Sequence, residues 1–430
     1  MRQTNLIQVS LVLTLLITHF SLNAQKVNSN AIHITKKEQS GINPGQLMFN
    51  GVVIPEEVKT RSWFIPPLFD LFQYNTIEGF VFNPRISLTQ QLSDEKFIAF
   101  KPNLRYGFGS EKLLGKVSAI YYYNPLQFES LTINGGNFVE QFDENSTLTP
   151  FANSYSTLLS DRNFLKIFES TFLEVSHSFS PLKNIQLSNR VFWGSRNPLR
   201  NLEKLDSTKE GYTSNIPLNN ELGMVEFDSH KVFYQETEIR WQLGLSYEYR
   251  RGAFKSTSQY PAIILNYKSS HDGVFNSSLS YQRISLELEG KINLKTWGIG
   301  QFRFEGGDFL SADSLSLIDL THFQGNRVAY TAYEPGTFQL LDYYSFSTPE
   351  GFFRGHYLHK FDQLTHRRGI NPFQPFIDVN FLRTSDVSYF ELGLGLQGMA
   401  RPWRIGLYNS WIDGRHDRIE IRFGFIISEL

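Results

Sequence analysis

The sequence predicts an all-β fold, a transmembrane antiparallel β-barrel of about sixteen strands. Three observations carry this: an export signal at the start, long segments that alternate apolar and polar side chains from about Phe80 onward, and no later apolar run long enough to cross a bilayer as a helix. Composition agrees with it. Phe (38) and Tyr (20) far outnumber Met (4), a bias toward strand-formers. The 41 Lys and Arg against 42 Asp and Glu leave no basic excess, which argues against a nucleic-acid partner. With no Cys, the chain has no disulfide framework, thiolate metal site or Cys nucleophile.

Met1 and Arg2 precede a polar stretch and an apolar run from Val9 to Ile17, closing near Ser21, Asn23 and Ala24. That layout is a cleavable signal peptide over residues 1–24, because its apolar centre is too short to span a membrane. Residues 25–75 differ in kind, polar to about Gly45 and then Trp63-Phe64-Ile65-Pro66-Pro67-Leu68-Phe69 without alternation. They read as a periplasmic or plug segment, with a short helix resting in or under the barrel, and residues 76–430 as the barrel itself.

Within the barrel, Ile239, Trp241, Leu243, Leu245, Tyr247 and Tyr249 alternate with Arg240, Gln242, Gly244, Ser246, Glu248 and Arg250. A strand sends successive side chains to opposite faces, so one face is apolar and the other wet. The pattern returns at Phe390, Leu392, Leu394 and Leu396 against Tyr389, Glu391, Gly393, Gly395 and Gln397, and at Ile419, Ile421, Phe423 and Phe425. Aromatics near strand ends, among them Trp193, Trp297, Trp403 and Trp411, suit an interfacial girdle. A soluble sandwich also alternates, but its outer faces are charged and its turns more frequent. Strands are expected near 77–90, 95–108, 113–124, 129–141, 164–180, 184–198, 232–251, 261–269, 275–293, 296–309, 337–347, 351–362, 374–384, 388–399, 403–412 and 417–428. This count puts the three longest connections, near 142–163, 199–231 and 310–336, on the side of the termini, whereas long loops normally face outward. Either those loops fold into the lumen or cover its periplasmic mouth, or the count is off by one strand at each end, with fourteen as the alternative.

Thr76-Ile77-Glu78-Gly79-Phe80, Arg105-Tyr106-Gly107-Phe108, Gly135-Gly136, Asn163 with Lys166, Arg196-Asn197-Pro198-Leu199, Gly325-Asn326 and His356 occur in that order. In this the chain resembles a family of uncharacterised Gram-negative outer-membrane proteins often fused to a carboxypeptidase-regulatory-like domain. The C-terminal third, with Glu391-Leu392-Gly393-Leu394-Gly395-Leu396, Arg401-Pro402-Trp403-Arg404-Ile405-Gly406 and a final alternating strand, is similar to the barrels of the bacterial surface-antigen superfamily, which includes the barrel-assembly insertase and two-partner secretion transporters. That resemblance implies an Arg-Gly pair on a loop folded into the lumen, facing an aromatic-x-Asp on a nearby strand. Arg354-Gly355 and Phe376-Ile377-Asp378 would match, and the guanidinium and carboxylate would pin the loop as a latch. An ordinary lumen charge pair is the competing reading. Residues 25–75 are too few for that superfamily's polypeptide-binding repeats.

Catalytic signals are weak. His356 and His359 point to opposite faces of a strand and so do not chelate. Ser176-His177-Ser178 and His322 are the candidates for a rim hydrolase, without a spacing that marks a catalytic group. Gly135-Gly136 and Gly306-Gly307 read as strand bends rather than phosphate loops, since no helix follows. No cofactor or metal is implied, and the expected partners are outer-membrane lipid and other outer-membrane or periplasmic proteins. Three functions stay open. One is a non-enzymatic barrel assisting polypeptide insertion or translocation, with a seam weakened by Gly79, Pro84 and Gly424. Another is a passive channel or ligand receptor tuned by Arg105, Arg240, Arg303, Glu287, Glu305 and Arg422. The last is a hydrolase.

Overall fold

The computed structural model describes residues 47–48, 51–56, 60–93, 95–202, 212–217, 227–250, 253–328, 330–333, 336–362, 373–398 and 403–426. The expected signal peptide lies outside the described residues.

β1 (Val52–Glu56) and β2 (Arg61–Ile65) form a hairpin, and β3 (Phe72–Asn75) pairs with β4 (Gly79–Phe82). β4 and β5 (Ser87–Ser93) lie end to end along β6 (Lys96–Gly107), interrupted at Pro84, so they act as one strand. A meander follows through β7 (Lys112–Asn124), β8 (Glu129–Gln141), β9 (Ile167–Leu182), β10 (Ile185–Pro198) and β11 (His230–Gln242). β12 (Ser246–Arg250) and β13 (Ala253–Thr257) form a separate hairpin. β14 (Ala262–Ser270), β15 (Ser280–Asn293) and β16 (Ile299–Ser314) resume the sheet. After the short β17 (Tyr330–Tyr333) come β18 (Phe352–Lys360), β19 (Gln374–Thr384), β20 (Ser388–Gln397), β21 (Trp403–Ile412) and β22 (Arg415–Ile426). The main sheet holds twenty strands, antiparallel at every pairing except that of β17 with β22.

The fold is a transmembrane antiparallel barrel, and exposure separates its two faces. Ile98, Phe100, Leu104, Leu173, Val175, Leu286, Leu288, Leu394, Ile419 and Ile421 are all exposed on the outer face. The inner face carries buried Arg105, Glu287, Glu305, Asp378, Asn380 and Glu391. A soluble protein does not leave so extensive an apolar surface in water, whereas hydrocarbon requires one. Leu394→Arg on this face is therefore expected to cost about 2–4 kcal/mol, the figure for a charge near the bilayer midplane, read as a lower urea midpoint for unfolding from lipid vesicles. An unchanged midpoint would remove Leu394 from the lipid surface.

Two corrections change the topology. Residues 337–347, expected as a strand, form turns with buried side chains and no sheet ladder. Residues 61–65, expected in a plug segment, are instead β2, paired with β5, so the sheet begins within 25–75. Trp63 and Phe64 belong to that strand, and a single 3₁₀ turn follows it at Leu68–Leu71. The expected strand 232–251 also breaks at Leu243–Gly244, where Gly244 has φ +62°.

The twenty strands of the main sheet are near the expected sixteen but not equal to it: a run of sixteen remains when β4 and β5 count as one and the short β1, β3 and β17 are set aside. β2 starts at the end where β22 finishes, so the strand ends that flank the long connections 142–166, 199–229 and 315–351 lie at the opposite end. The conflict in the sequence count came from one false strand and one missed one.

Candidate functional site in the barrel lumen

The connection from β16 to β18 is not built like a solvated loop. Leu317, Phe323, Phe338, Leu340, Leu341 and Tyr344 are all buried in it, packed against wall residues such as Phe352, Leu358, Phe376, Leu382, Tyr389 and Tyr408. The chain enters the lumen and turns back on itself. Thr321 and Thr348 exchange backbone hydrogen bonds at 2.9 and 3.1 Å, Phe338 N–H donates to the Gln324 carbonyl (2.9 Å), and Asn326 N–H to the Leu341 carbonyl (2.7 Å). At its far point β17 runs parallel to β22, pairing Tyr330 with Phe423 and Tyr333 with Ile426.

Buried carboxylates fix this in-folded segment at two places. Glu391, on the luminal face of β20 and fully buried, accepts the backbone N–H groups of Gln339 (2.9 Å), Leu340 (2.7 Å) and Leu341 (3.0 Å). The Tyr389 hydroxyl (2.6 Å) and the Asn380 amide (3.2 Å) donate to the same carboxylate, and Arg422 Nε donates to the Gln339 carbonyl (2.8 Å). A carboxylate that accepts several N–H donors away from water holds them strongly, because each donor left alone there carries a full desolvation penalty.

The second anchor reverses the roles. Asp319 belongs to the loop, and the wall supplies Arg196 (2.7 Å), the Tyr281 hydroxyl (2.8 Å) and Lys268 (3.6 Å). Burial opposes ionisation of Asp319, but Arg196 foremost, then Lys268 and the two hydrogen bonds, outweigh it and hold its pKa down at about 2. A third contact, Asp342 with Arg418 (3.1 Å) and Arg327 (3.5 Å), is more exposed and correspondingly weaker.

The expected latch residues do not meet. Arg354 is on strand β18, not on a loop, and its guanidinium engages Glu305 of β16, with Nε 2.8 Å from the carboxylate. Asp378 faces Arg404 (3.1 Å) and the Tyr408 hydroxyl (2.9 Å). Phe376 is buried beneath the Arg404 guanidinium, 3.5 Å from ring centroid to Cζ. Gly355 alternates with Arg354 and turns to the outer face, where the Phe381 and Phe304 rings cover the space a Cβ would fill. The pinning chemistry is present, but Glu391 and the Arg196–Asp319 pair perform it. Glu391 and Arg196 both stand in the sequence motifs above, which by themselves carry no sign of this role. The signal for Asp319 was an apolar, non-alternating stretch, Leu315 to Leu320, in a connection long enough to fold into the lumen.

The long-connection end gathers the other ordered motifs. Arg105 donates to both Glu78 carboxylate oxygens (2.8 and 2.5 Å), and Asn75 donates to the same group (2.9 Å). Gly79, at φ +69°, turns the chain where Gly109 passes only 3.3 Å from the position of a Cβ. α1 (Pro150–Ser160), capped by the Thr149 hydroxyl, sets Asn153 to hold Asn163 (2.8 Å), and buried Lys166 donates to Thr213 (2.6 Å) and the Ser214 carbonyl. These residues build a rigid rim.

Between rim and loop lies a cavity of about 870 Å³ lined by charges of both signs, most of them paired: Lys116 with Glu140, Arg190 with Glu144 and Glu236, Arg303 with Glu287, and Arg354 with Glu305. The hydrolase candidates fall apart around it. His177 Nε2 shares a hydrogen bond with the Tyr123 hydroxyl (2.9 Å), while Ser178 pairs with Ser188 (3.0 Å). His322 Nδ1 is 2.9 Å from Ser347 Oγ, but that hydroxyl donates to the Tyr344 carbonyl in a local turn. His356 and His359 have separate partners, Asn380 and the Trp297 carbonyl. Among the described residues no three potential metal ligands cluster.

Fold and site together define a membrane-spanning β-barrel whose lumen is occupied by one of its own connections. The chain belongs to the family of unknown function DUF5686, whose C-terminal-domain profile matches residues 45–396. Among solved structures it is similar to BamA from Haemophilus ducreyi lacking POTRA domains 1–3, at 11% identity and TM-score 0.46, covering 95% of this chain and 80% of that one. CdiB from Acinetobacter baumannii shares 10% identity at TM-score 0.38, covering 82% and 56%. A triple-mutant porin from Rhodopseudomonas blastica shares 10% at TM-score 0.32, covering 81% and 94%. No curated protein matches.

Proposed function

We propose that this is a non-enzymatic outer-membrane barrel of a Gram-negative bacterium that assists the insertion or translocation of other polypeptides, with the in-folded connection 315–351 as its gate. On this reading the end that holds both termini of the sixteen-strand run faces the periplasm, and the longest connections face outward. One observation carries the proposal: the outer edge of the last strand is met by the in-folded loop rather than by the first strand. Among the described residues no pairing joins β22 to β1 or β2, and the only strand on its outer edge is the loop's own four-residue β17. An unpaired strand edge offers backbone donors and acceptors to any extended chain, so a protein that exposes one in a controlled way is suited to engaging polypeptide. The second reading, a channel or ligand receptor, is favoured by the 870 Å³ charged cavity.

Locking the loop separates the two. Leu340 and Leu358 belong to one buried cluster, and the chain has no native Cys, so Leu340→Cys with Leu358→Cys places one pair of thiols there, whose oxidation to a reducible bridge is checked first by non-reducing gel migration. The oxidised protein in vesicles is expected to lose about tenfold in the rate at which it promotes folding of an added barrel polypeptide, followed by heat-modifiable gel migration, and dithiothreitol to restore it. An unchanged rate in the locked form, or no promotion by the native chain, overturns the insertion reading. A stable native conductance of fixed size then favours the channel.

A further inference from the structure

At the short-turn end of the lumen, a separate cavity of about 360 Å³ lies among β15, β16, β18, β19 and the in-folded loop, lined by Glu289, Gln301, Arg303, Gly336, His356 and Asp378. His356 is only 5% exposed. Its Nδ1 is 2.8 Å from Asn380 Oδ1, and Asn380 Nδ2 donates to Glu391 at 3.2 Å. The carboxylate only accepts, which fixes the amide: its oxygen faces His356, so Nδ1 carries the proton and the neutral ring presents a bare lone pair at Nε2. That Nε2 is buried and makes no hydrogen bond with the protein, and neither does the buried Oε1 of Gln301, two residues along β16 from Arg303, the register partner of His356.

Two buried acceptors without donors call for a ligand that supplies donors. The charges of the lining are already compensated, Arg303 by Glu287 and Asp378 by Arg404. A hydroxyl group donates and accepts at once, and so suits such a wall better than an ammonium or a carboxylate does. We propose that this cavity binds a hexose-sized polyhydroxylated molecule, one hydroxyl donating to His356 Nε2 and another to Gln301 Oε1. We further infer that occupancy alters the hold of Glu391 on the loop through the His356–Asn380–Glu391 chain. Binding stands independently of the insertion reading; only the coupling rests on the loop being the gate.

A free hexose and a sugar at the end of a longer glycan share this chemistry, so both are tested. The full chain in detergent, carrying ¹⁵N-labelled histidine, is titrated with glucose and with maltotriose. The Nε2 resonance that His356→Gln removes is expected to move saturably toward the hydrogen-bonded position, and Gln301→Leu to weaken that titration about tenfold, roughly the share of one hydrogen bond. Movement with glucose supports a free sugar, and movement with maltotriose alone supports a glycan end. No movement with either, or a titration indifferent to Gln301→Leu, overturns the site. For the coupling, a single Cys in place of Leu340 reports loop release: saturating sugar is expected to change its alkylation rate roughly fivefold. Asn380→Leu should abolish that change. A rate unaffected by a saturating sugar overturns the coupling and leaves the binding site standing.

Discussion

Replacing Glu391 by Ala is expected to release the in-folded loop and convert a closed barrel into a conducting one. The substitution strands three loop N–H groups, the Tyr389 hydroxyl and the Asn380 amide in a buried setting. At about 1–3 kcal/mol per orphaned donor, and with some relaxation, the loss should reach about 4 kcal/mol or more, at the top of what single substitutions do. The loop has an alternative that most buried segments lack, since leaving the lumen returns those donors to water. The energy is therefore expected to appear as opening rather than as global unfolding. Planar-bilayer recordings should show open probability rising about tenfold or more, and Glu391→Gln, which keeps an acceptor oxygen, should fall between. Native-like conductance in Glu391→Ala would mean that the apolar packing of Phe338, Leu340 and Leu341 holds the loop unaided.

The other large effect is expected at Asp319. Asp319→Ala leaves Arg196 buried without its counter-ion, and breaking one side of a buried pair costs about 3–5 kcal/mol. Arg196→Met with Asp319→Leu removes both charges and should recover most of that, because the desolvation of the pair disappears along with its attraction. The pH dependence has a definite sign. Asp319 binds its proton less readily in the folded state, with a pKa of about 2 against an ordinary value of 3.8, so its contribution is full above about pH 4 and is lost as pH falls toward 2. Urea midpoints in vesicles between pH 5 and pH 2 should fall for the native chain and flatten in the double variant. Parallel slopes in the two would assign the acid sensitivity to other carboxylates.

The sequence made fifteen of the expected strands legible for one physical reason: water on one side and hydrocarbon on the other impose a period of two, visible at Phe390 to Gln397 without knowledge of any neighbour. It failed where that solvent contrast disappears. Residues 337–347 are apolar because they are buried inside the barrel, and apolar density without a partner in view resembles a strand. β2, between β1 and β5, has Pro66 and Pro67 directly after it, and its short Trp63-Phe64-Ile65 run shows no alternation to read. The latch failed differently. The Arg354-Gly355 and Phe376-x-Asp378 patterns are present, but the register of β18 against β16 and β19 sets Arg354 beside Glu305 and sends Gly355 to the lipid face.

Alone, the order of residues determined that this chain crosses a membrane as strands, which side chains meet lipid and which meet the lumen, because each follows from a strand's geometry and the two solvents around it. Which connection enters the lumen, and which carboxylates receive it, was decided only by the assembled sheet. Hydrogen bonds such as those from Gln339, Leu340 and Leu341 to Glu391 join positions about fifty residues apart, and their energy exists only once the walls have excluded water from the space between them.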